Sequence, residues 1–160
     1  MERLQKIHPI ASLQLPYSML KRDVESELLG WCAENGIGVV AYSPMQNGLL
    51  AGRFTKERVA AFPSDDWRRG SPFFMEPALS KNLRLVEGLK SVASRGRKSV
   101  GELAVAWVLR RPEVTSAIVG SRKPEQVDET AGAAGNPLSA EEEKEIDRLL
   151  AERQERMAGS

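Results

Sequence analysis

Residues 115–135 read TSAIVGSRKPEQVDETAGAAG. The short apolar run "TSAIVG" has the composition of a strand, and it stops at Gly120-Ser121. Pro124 then opens "PEQVDETAGAAG", which reads as a helix with proline in its first turn. A strand feeding a helix through so short a loop is the building unit of α/β proteins. The junction also carries chemistry. Gly120 lets a ligand approach the backbone, Ser121 offers a hydroxyl, and Arg122 offers a forked cation suited to phosphate. Amides at the start of the helix behind Pro124 are expected to point at the same anion. An ordinary turn with a solvated arginine accounts for the same letters. The spacing matches neither the Gly-rich dinucleotide fingerprint nor the phosphate loop.

The same unit recurs upstream. Residues 10–17, "IASLQLPY", read as a strand that stops at Pro16, and Asp23 reads as the N-cap of a helix over residues 24–35. Asn35-Gly36 ends that helix, and residues 37–42, "IGVVAY", form a second strand. Being apolar on both faces, it resembles a strand covered on both sides. Ser80 reads as the cap of a helix running to about Ser94. Ser99-Val100-Gly101-Glu102 and Ser139-Ala140-Glu141-Glu142 both match the capping box. The first opens a helix containing "LAVAWVL", which should be buried nearly all round, and the second opens a charged amphipathic helix. Three strands alternating with helices predict a parallel sheet with right-handed crossovers, either three units of a barrel or a small doubly wound sheet.

Residues 53–79 break the rhythm. They hold three prolines, the "DDWRRG" turn, Trp67 and all 4 phenylalanines, and read as one long, irregular, aromatic-rich loop within a single domain over 1–160. Composition narrows the rest. At 160 residues with 28% charged residues and a net charge of +1, the chain lacks the basic excess expected of a nucleic-acid or membrane-surface partner. No apolar run approaches the roughly 18 residues that span a bilayer. The single cysteine, Cys32, excludes an internal disulfide, and a reducing cytoplasm is the expected compartment. One Cys and one His give no basis for a metal site.

Two further positions carry candidate chemistry. Tyr42 stands at the C-terminal end of the second strand, where barrel and doubly wound enzymes place their sites. Its ring is suited to stack on a flat heterocycle, while Ser43 and the amides of the following Gly-containing loop suit a pyrophosphate; a core-edge tyrosine before a turn is the plainer alternative. Gln14 lies inside an otherwise apolar strand, so its amide is expected either to bond a neighbouring backbone or to face a ligand.

Together these stretches are recognisable. "HPIASLQLPYSMLKRDVESELLGWCAENGIGVVAYSPMQNGLLAGRF", "DDWRR" with "LSKNLRLVEGLK", and "VGELAVAWVLRRPEVTSAIVGSRKPEQVDE" resemble the aldo-keto reductase superfamily, over about residues 7–150. The likeness is to the bacterial branch whose last strand ends in Gly-(Ala/Ser)-Arg. It implies an incomplete (β/α)8 TIM barrel and an extended NADP(H) lying across the C-terminal strand ends. On that resemblance Gln14 bonds the nicotinamide carboxamide and Tyr42 stacks on the ring. Ser43, Pro44, Met45, Asn47, Gly48 and Leu49 line the pyrophosphate. Ser121 and Arg122, beside Gly120, hold the 2′-phosphate, and Gln126 and Glu129 approach the adenosine. Thr130 departs from the Asn common there, which weakens one adenine contact.

The resemblance covers only part of the family pattern. A complete barrel of this kind is roughly twice as long, and the match begins just before the sixth strand. The family's catalytic Tyr, Lys, Asp and His come from earlier strands, and their motifs do not occur in this chain. Tyr17 and Tyr42 are its 2 tyrosines, and neither they nor His8, read as a packing or capping residue, are assigned those roles. The expectation is therefore the cofactor-binding C-terminal part of an NADPH-dependent reductase of aldehydes or ketones, inactive alone. A non-catalytic NADP(H)- or phosphate-binding module and an oligomeric structural remnant are the alternatives. Phe54, Trp67, Phe73 and Phe74 are candidates to cover the substrate opening. Three strands cannot close a barrel, so self-association or pairing with an N-terminal half is expected.

Overall fold

Three five-residue strands, β1 (Ser12–Pro16), β2 (Gly38–Tyr42) and β3 (Val114–Ile118), make one parallel sheet in the order β1-β2-β3 in the computed structural model, which describes residues 2–159. Helix α1 (Glu2–Gln5) precedes β1, and α2 (Leu28–Glu34) joins β1 to β2. Between β2 and β3 lie α3 (Lys56–Ala60), α4 (Ala78–Arg95) and α5 (Val100–Leu109). Helices α6 (Pro124–Ala131) and α7 (Ala140–Ala158) follow β3.

The register sets which side chains share a face. Gln14 lies opposite Val40, Val40 opposite Ser116, and Tyr42 opposite both Pro16 and Ile118. Because side chains alternate along a strand, these residues line one face and Val39 and Ala41 the other. The Val39/Ala41 face is the core: both are 0% exposed and belong to one cluster with Leu29 and Cys32 of α2, Leu89 of α4, and Leu103 and Trp107 of α5. Consecutive parallel strands with their helices on a single face are the arrangement of part of a (β/α)8 barrel; a doubly wound sheet carries helices on both.

The opposite face is open in this chain. Tyr42 is 39% and Ile118 46% exposed, and Gln14 is exposed as well. This corrects two expectations. β2 is covered on one face rather than two, and Gln14 is not a buried amide in need of partners.

Local chemistry explains where the helices differ from the sequence reading. Asp23 starts a 3-10 turn (Asp23–Glu25) instead of capping a helix, and α2 begins only at Leu28. The Ser26 hydroxyl donates to the Asp23 carbonyl at 2.9 Å, and Glu25 is drawn aside by Tyr17 and Arg22. Such side-chain bonds compete with helical continuation. Ser80 lies inside the first turn of α4, with its amide and hydroxyl both donating to Glu76. Ser99 caps α5 by accepting from the Glu102 amide, while the Glu102 carboxylate accepts from Asn136. Ser139 and Glu142 make the full reciprocal box at α7. Glu142 also accepts from Lys98 at 2.9 Å in a nearly buried ion pair that fixes the start of α7 behind the end of α4. Helix α5 buries Gly101 and every residue from Leu103 to Val108.

Residues 53–79 are more ordered than an irregular loop. Thr55 caps α3 by accepting from the Arg58 amide, and 3-10 turns occupy Trp67–Gly70 and Pro72–Phe74. Phe54, Phe62 and Phe74 meet with centroids 5.4–5.7 Å apart, two of the pairs edge-on. That geometry places ring edges against ring faces, the favourable arrangement for aromatic pairs.

Candidate functional site: a cationic cleft at the strand ends

The segment leaving β2 has little choice of path. Ser43, Gln46, Asn47 and Gly48 all adopt positive φ, at 54°, 45°, 57° and 90°. A left-handed backbone costs an L-residue about 1–2 kcal/mol, so it persists only where the surroundings dictate it. Here the amides of Gln46, Gly48 and Leu49 donate back to Ser43, Met45 and Gln46 carbonyls at 2.9–3.1 Å. Gly48 is favoured by its φ of +90°, a conformation that L-residues rarely adopt; a Cβ there would only touch the Phe54 ring, at 3.4 Å. Leu49 and Leu50, both 0% exposed, then sink the segment into the core.

A cleft of about 480 Å³ lies between this segment and the end of β3. One wall is Tyr42, Ser43, Pro44, Met45, Asn47 and Gly48; the other is Ile118, Val119, Gly120, Arg122 and Gln126. The segment after β2 closes the remaining side with Ala51, Arg53, Phe54, Arg58 and Arg68. Four arginines and no acidic residue line the space; Arg53 and Arg68 are paired with Glu129 and Asp66 at its margin, and Arg58 and Arg122 leave it cationic and suited to an anion.

The arginines are held in place by their neighbours. Arg68 donates through Nε and Nη2 to Asp66 at 2.9 and 2.5 Å and lies over the Phe62 and Phe54 rings, 4.3 and 5.5 Å from their centroids. That forked bond to Arg68 holds the Asp66 carboxyl down to about 2. Arg58 lies 5.1 Å over Phe54 and donates to the Arg53 carbonyl. Arg53 reaches across to α6 and pairs with Glu129. Aromatic faces and fixed carboxylates thus orient guanidiniums before any ligand arrives.

The positions picked out by sequence divide clearly. Tyr42, Ser43, Pro44, Met45, Asn47, Gly48, Gly120, Arg122, Gln126 and Phe54 line one cleft. Leu49 does not: it is core. Ser121 lines a separate groove with Val127 and Thr130. Glu129 sits at the cleft edge as the partner of Arg53. Gln14 is outside the cleft but on the same sheet face as Tyr42, one strand away. Phe74 is 3% exposed and structural, Phe73 is half-buried against the core, and Trp67 is 64% exposed and outside the cleft.

The amides just before α6 are taken within the turn: those of Arg122 and Lys123 donate to Gln126 Oε1 at 2.7 and 3.2 Å, and the Gln126 amide donates to the Lys123 carbonyl at 3.1 Å. One further expectation is corrected. His8 is exposed beside the Pro9 carbonyl, 3.0 Å from its Nδ1, and is not packed. Arg53, Arg58 and Arg68 escaped the sequence reading. The available signal was their interleaving with Phe54, Phe62 and Trp67, the pattern of cations seated on rings.

Tyr17 is remote from this chemistry. It is 0% exposed, donates to Glu25 at 2.6 Å, and packs on Trp107 with centroids 5.3 Å apart. Burial, then the Glu25 bond, pushes its phenol up to about 12.

Comparison with known proteins agrees with the fold. The aldo/keto reductase family profile matches residues 1–151. A probable aldo-keto reductase 1 of Glycine max is 34% identical over 144 residues, 90% of this chain and 41% of the relative. The aldo-keto reductase YhdN of Bacillus subtilis is 33% identical over 151 residues, 94% of this chain and 45% of the relative. Among solved structures, the glycerol dehydrogenase AKR11B4 from Gluconobacter oxydans superposes with a TM-score of 0.87 at 33% identity, covering 96% of this chain and 46% of that one. The chain spans less than half the length of these relatives. With the profile matching residues 1–151 and the solved relative superposing over 96% of this chain, the chain belongs to the aldo/keto reductase family.

Proposed function

We propose that this chain supplies the NADPH-binding part of an aldo-keto reductase, with the dinucleotide lying across the ends of β2 and β3. The observation that carries the reading is a single cleft lined by Tyr42 and by Arg53, Arg58, Arg68 and Arg122 together. A nicotinamide dinucleotide phosphate is a flat ring, a doubly charged pyrophosphate and a terminal phosphate monoester, and a lining of one aromatic residue and several cations suits that set of groups. Tyr42 stacks on the nicotinamide, and Gln14, on the same sheet face, is the amide within reach of its carboxamide. Ser43 and Asn47 meet the pyrophosphate with Arg53, and Arg122 meets the 2′-phosphate. Gln126 is the adenosine-side contact, while Glu129 acts through Arg53.

The bound dinucleotide supplies a hydride at nicotinamide C4 for a carbonyl carbon, and the alkoxide that forms requires a proton from a general acid. No residue lining the cleft has that role in this reading. Tyr42 is used for stacking, and Tyr17 is buried, bonded to Glu25 and titrates near 12. The chain's contribution is binding and orientation of the hydride donor. Carbonyl substrate and acid meet it over the open sheet face, where Tyr42 and Ile118 are uncovered.

That open face and the free edges of β1 and β3 favour association as well, with a second copy or with the remaining strands of a barrel. Titration with NADPH, followed by quenching of tryptophan fluorescence, tests the binding reading. Saturable binding that weakens in Arg122→Ala is expected; an absence of saturable quenching, confirmed by calorimetry, would discard it.

A further inference from the structure

Gln46 is the one residue of the 43–48 segment that does not line the cleft. Its side chain turns into the body of the protein and is 6% exposed. There its Oε1 accepts from the hydroxyl of Ser18, 2.7 Å away and 0% exposed, just beyond β1. The direction of that bond is forced. Ser18 Oγ already accepts from the amides of Leu20 and Lys21 at 3.2 and 3.1 Å, which leaves its proton for Gln46. Ser18 is itself pinned, since its own amide and carbonyl are paired with Lys21 at 3.1 Å. The acceptor sits on a residue at φ 45°, within the run of positive φ at Gln46, Asn47 and Gly48.

We propose that the Ser18–Gln46 bond is the contact that holds the 43–48 segment in its ligand-ready shape. Gln46 is thus a positioning residue for the cofactor although it does not touch it. A buried polar pair is costly to leave half-satisfied, so the bond favours the left-handed conformer that keeps Gln46 facing inward. With Gln46 inward, Ser43, Met45, Asn47 and Gly48 are left facing the cleft. The tie also couples the end of β1 to the end of β2, and so sets Gln14 and Tyr42 on a common frame. This rests on the NADPH reading above.

The test compares two ligands across Ser18→Ala, Gln46→Met and the double variant. NADPH needs the 43–48 segment, whereas adenosine 2′-monophosphate, which has no 5′-phosphate, needs only the Arg122 end. Each single variant should weaken NADPH binding about tenfold, the double variant should lose little more than either alone, and the affinity for the monophosphate should stay unchanged. Unchanged NADPH affinity in both singles would overturn the proposal while leaving the cofactor reading intact. Equal losses for both ligands would also overturn it, because that marks general loosening. A wild-type chain that binds neither ligand would overturn the cofactor reading and the proposal with it. If Ser18→Ala does not fold, Gln46→Met and wild-type hydrogen exchange decide: amides of Gly48, Leu49 and Leu50 exchanging as in an unfolded chain would refute the tie.

Discussion

The two walls of the cleft are built differently. The wall after β2 is rooted in the core: Leu49 and Leu50 are 0% exposed, Phe74 3% and Phe62 8%, and Gln46 is bonded inward to Ser18. The wall after β3 is a surface feature. Helix α6 has no buried residue, Val127 on it is 52% exposed, and Arg122 stands in solvent. Its side-chain ties are few among the described residues: the Arg53–Glu129 pair joins it to the first wall, and the Ser99 hydroxyl at the start of α5 donates to the Glu129 carbonyl at 3.4 Å. In the proposed NADPH reading, one wall is a fixed template for a ring and a pyrophosphate, and the other is a charged surface segment for a terminal phosphate to order. Low local stability is where ligand-linked ordering arises.

The sharpest way to break this contrast is through stability. Leu50→Ala should cost about 2–5 kcal/mol in urea unfolding, because it opens a cavity under the first wall. Val127→Ala on the second should stay within about 0.5 kcal/mol. Equal losses would erase the distinction. Next in size is affinity without stability: Arg122→Ala should weaken NADPH about 10- to 100-fold, the loss of a charge-assisted phosphate contact, and leave the urea midpoint unmoved. NADH, which lacks the 2′-phosphate, should bind the two proteins alike in the same titration.

A smaller effect separates the surface segment from its strap. Glu129→Gln removes the charge that holds Arg53, a partly exposed pair worth at most about 1 kcal/mol. Hydrogen exchange should quicken over 124–131 and not over 43–50; quickening in both would mean the walls move together. The smallest effect is a pH dependence in the first wall. Asp66 is held to about 2 by its bond to Arg68, below its unfolded value of about 3.9. Its contribution is therefore complete above pH ~4 and lost as pH falls towards 2. Asp66→Asn should flatten the stability profile in that window, and an unchanged profile would show that the pair contributes nothing.

Much of this was legible in the sequence because it is local. The strands, the Ser99 and Ser139 caps, the all-round apolar α5 and the glycine after Asn35 each follow from a few adjacent residues. The Thr55 cap of α3 was equally local and lay hidden in a segment read as loop. What stayed illegible depends on partners far along the chain. Nothing adjacent reveals that Arg53 meets Glu129 or that Gln46 meets Ser18. Apolar neighbours in sequence conceal that alternation along β1 puts Gln14 on the uncovered face. Ser121 and Arg122 adjoin in sequence, yet they line different grooves.

Hydrogen exchange of the whole chain, with and without saturating NADPH, addresses the central claim most directly. The account predicts strong new protection over 119–131, where the surface segment becomes ordered, and only a modest gain over 43–50, which is already fixed. Protection confined to segments away from both strand ends, or none at all, would contradict the assignment of this cleft to the dinucleotide.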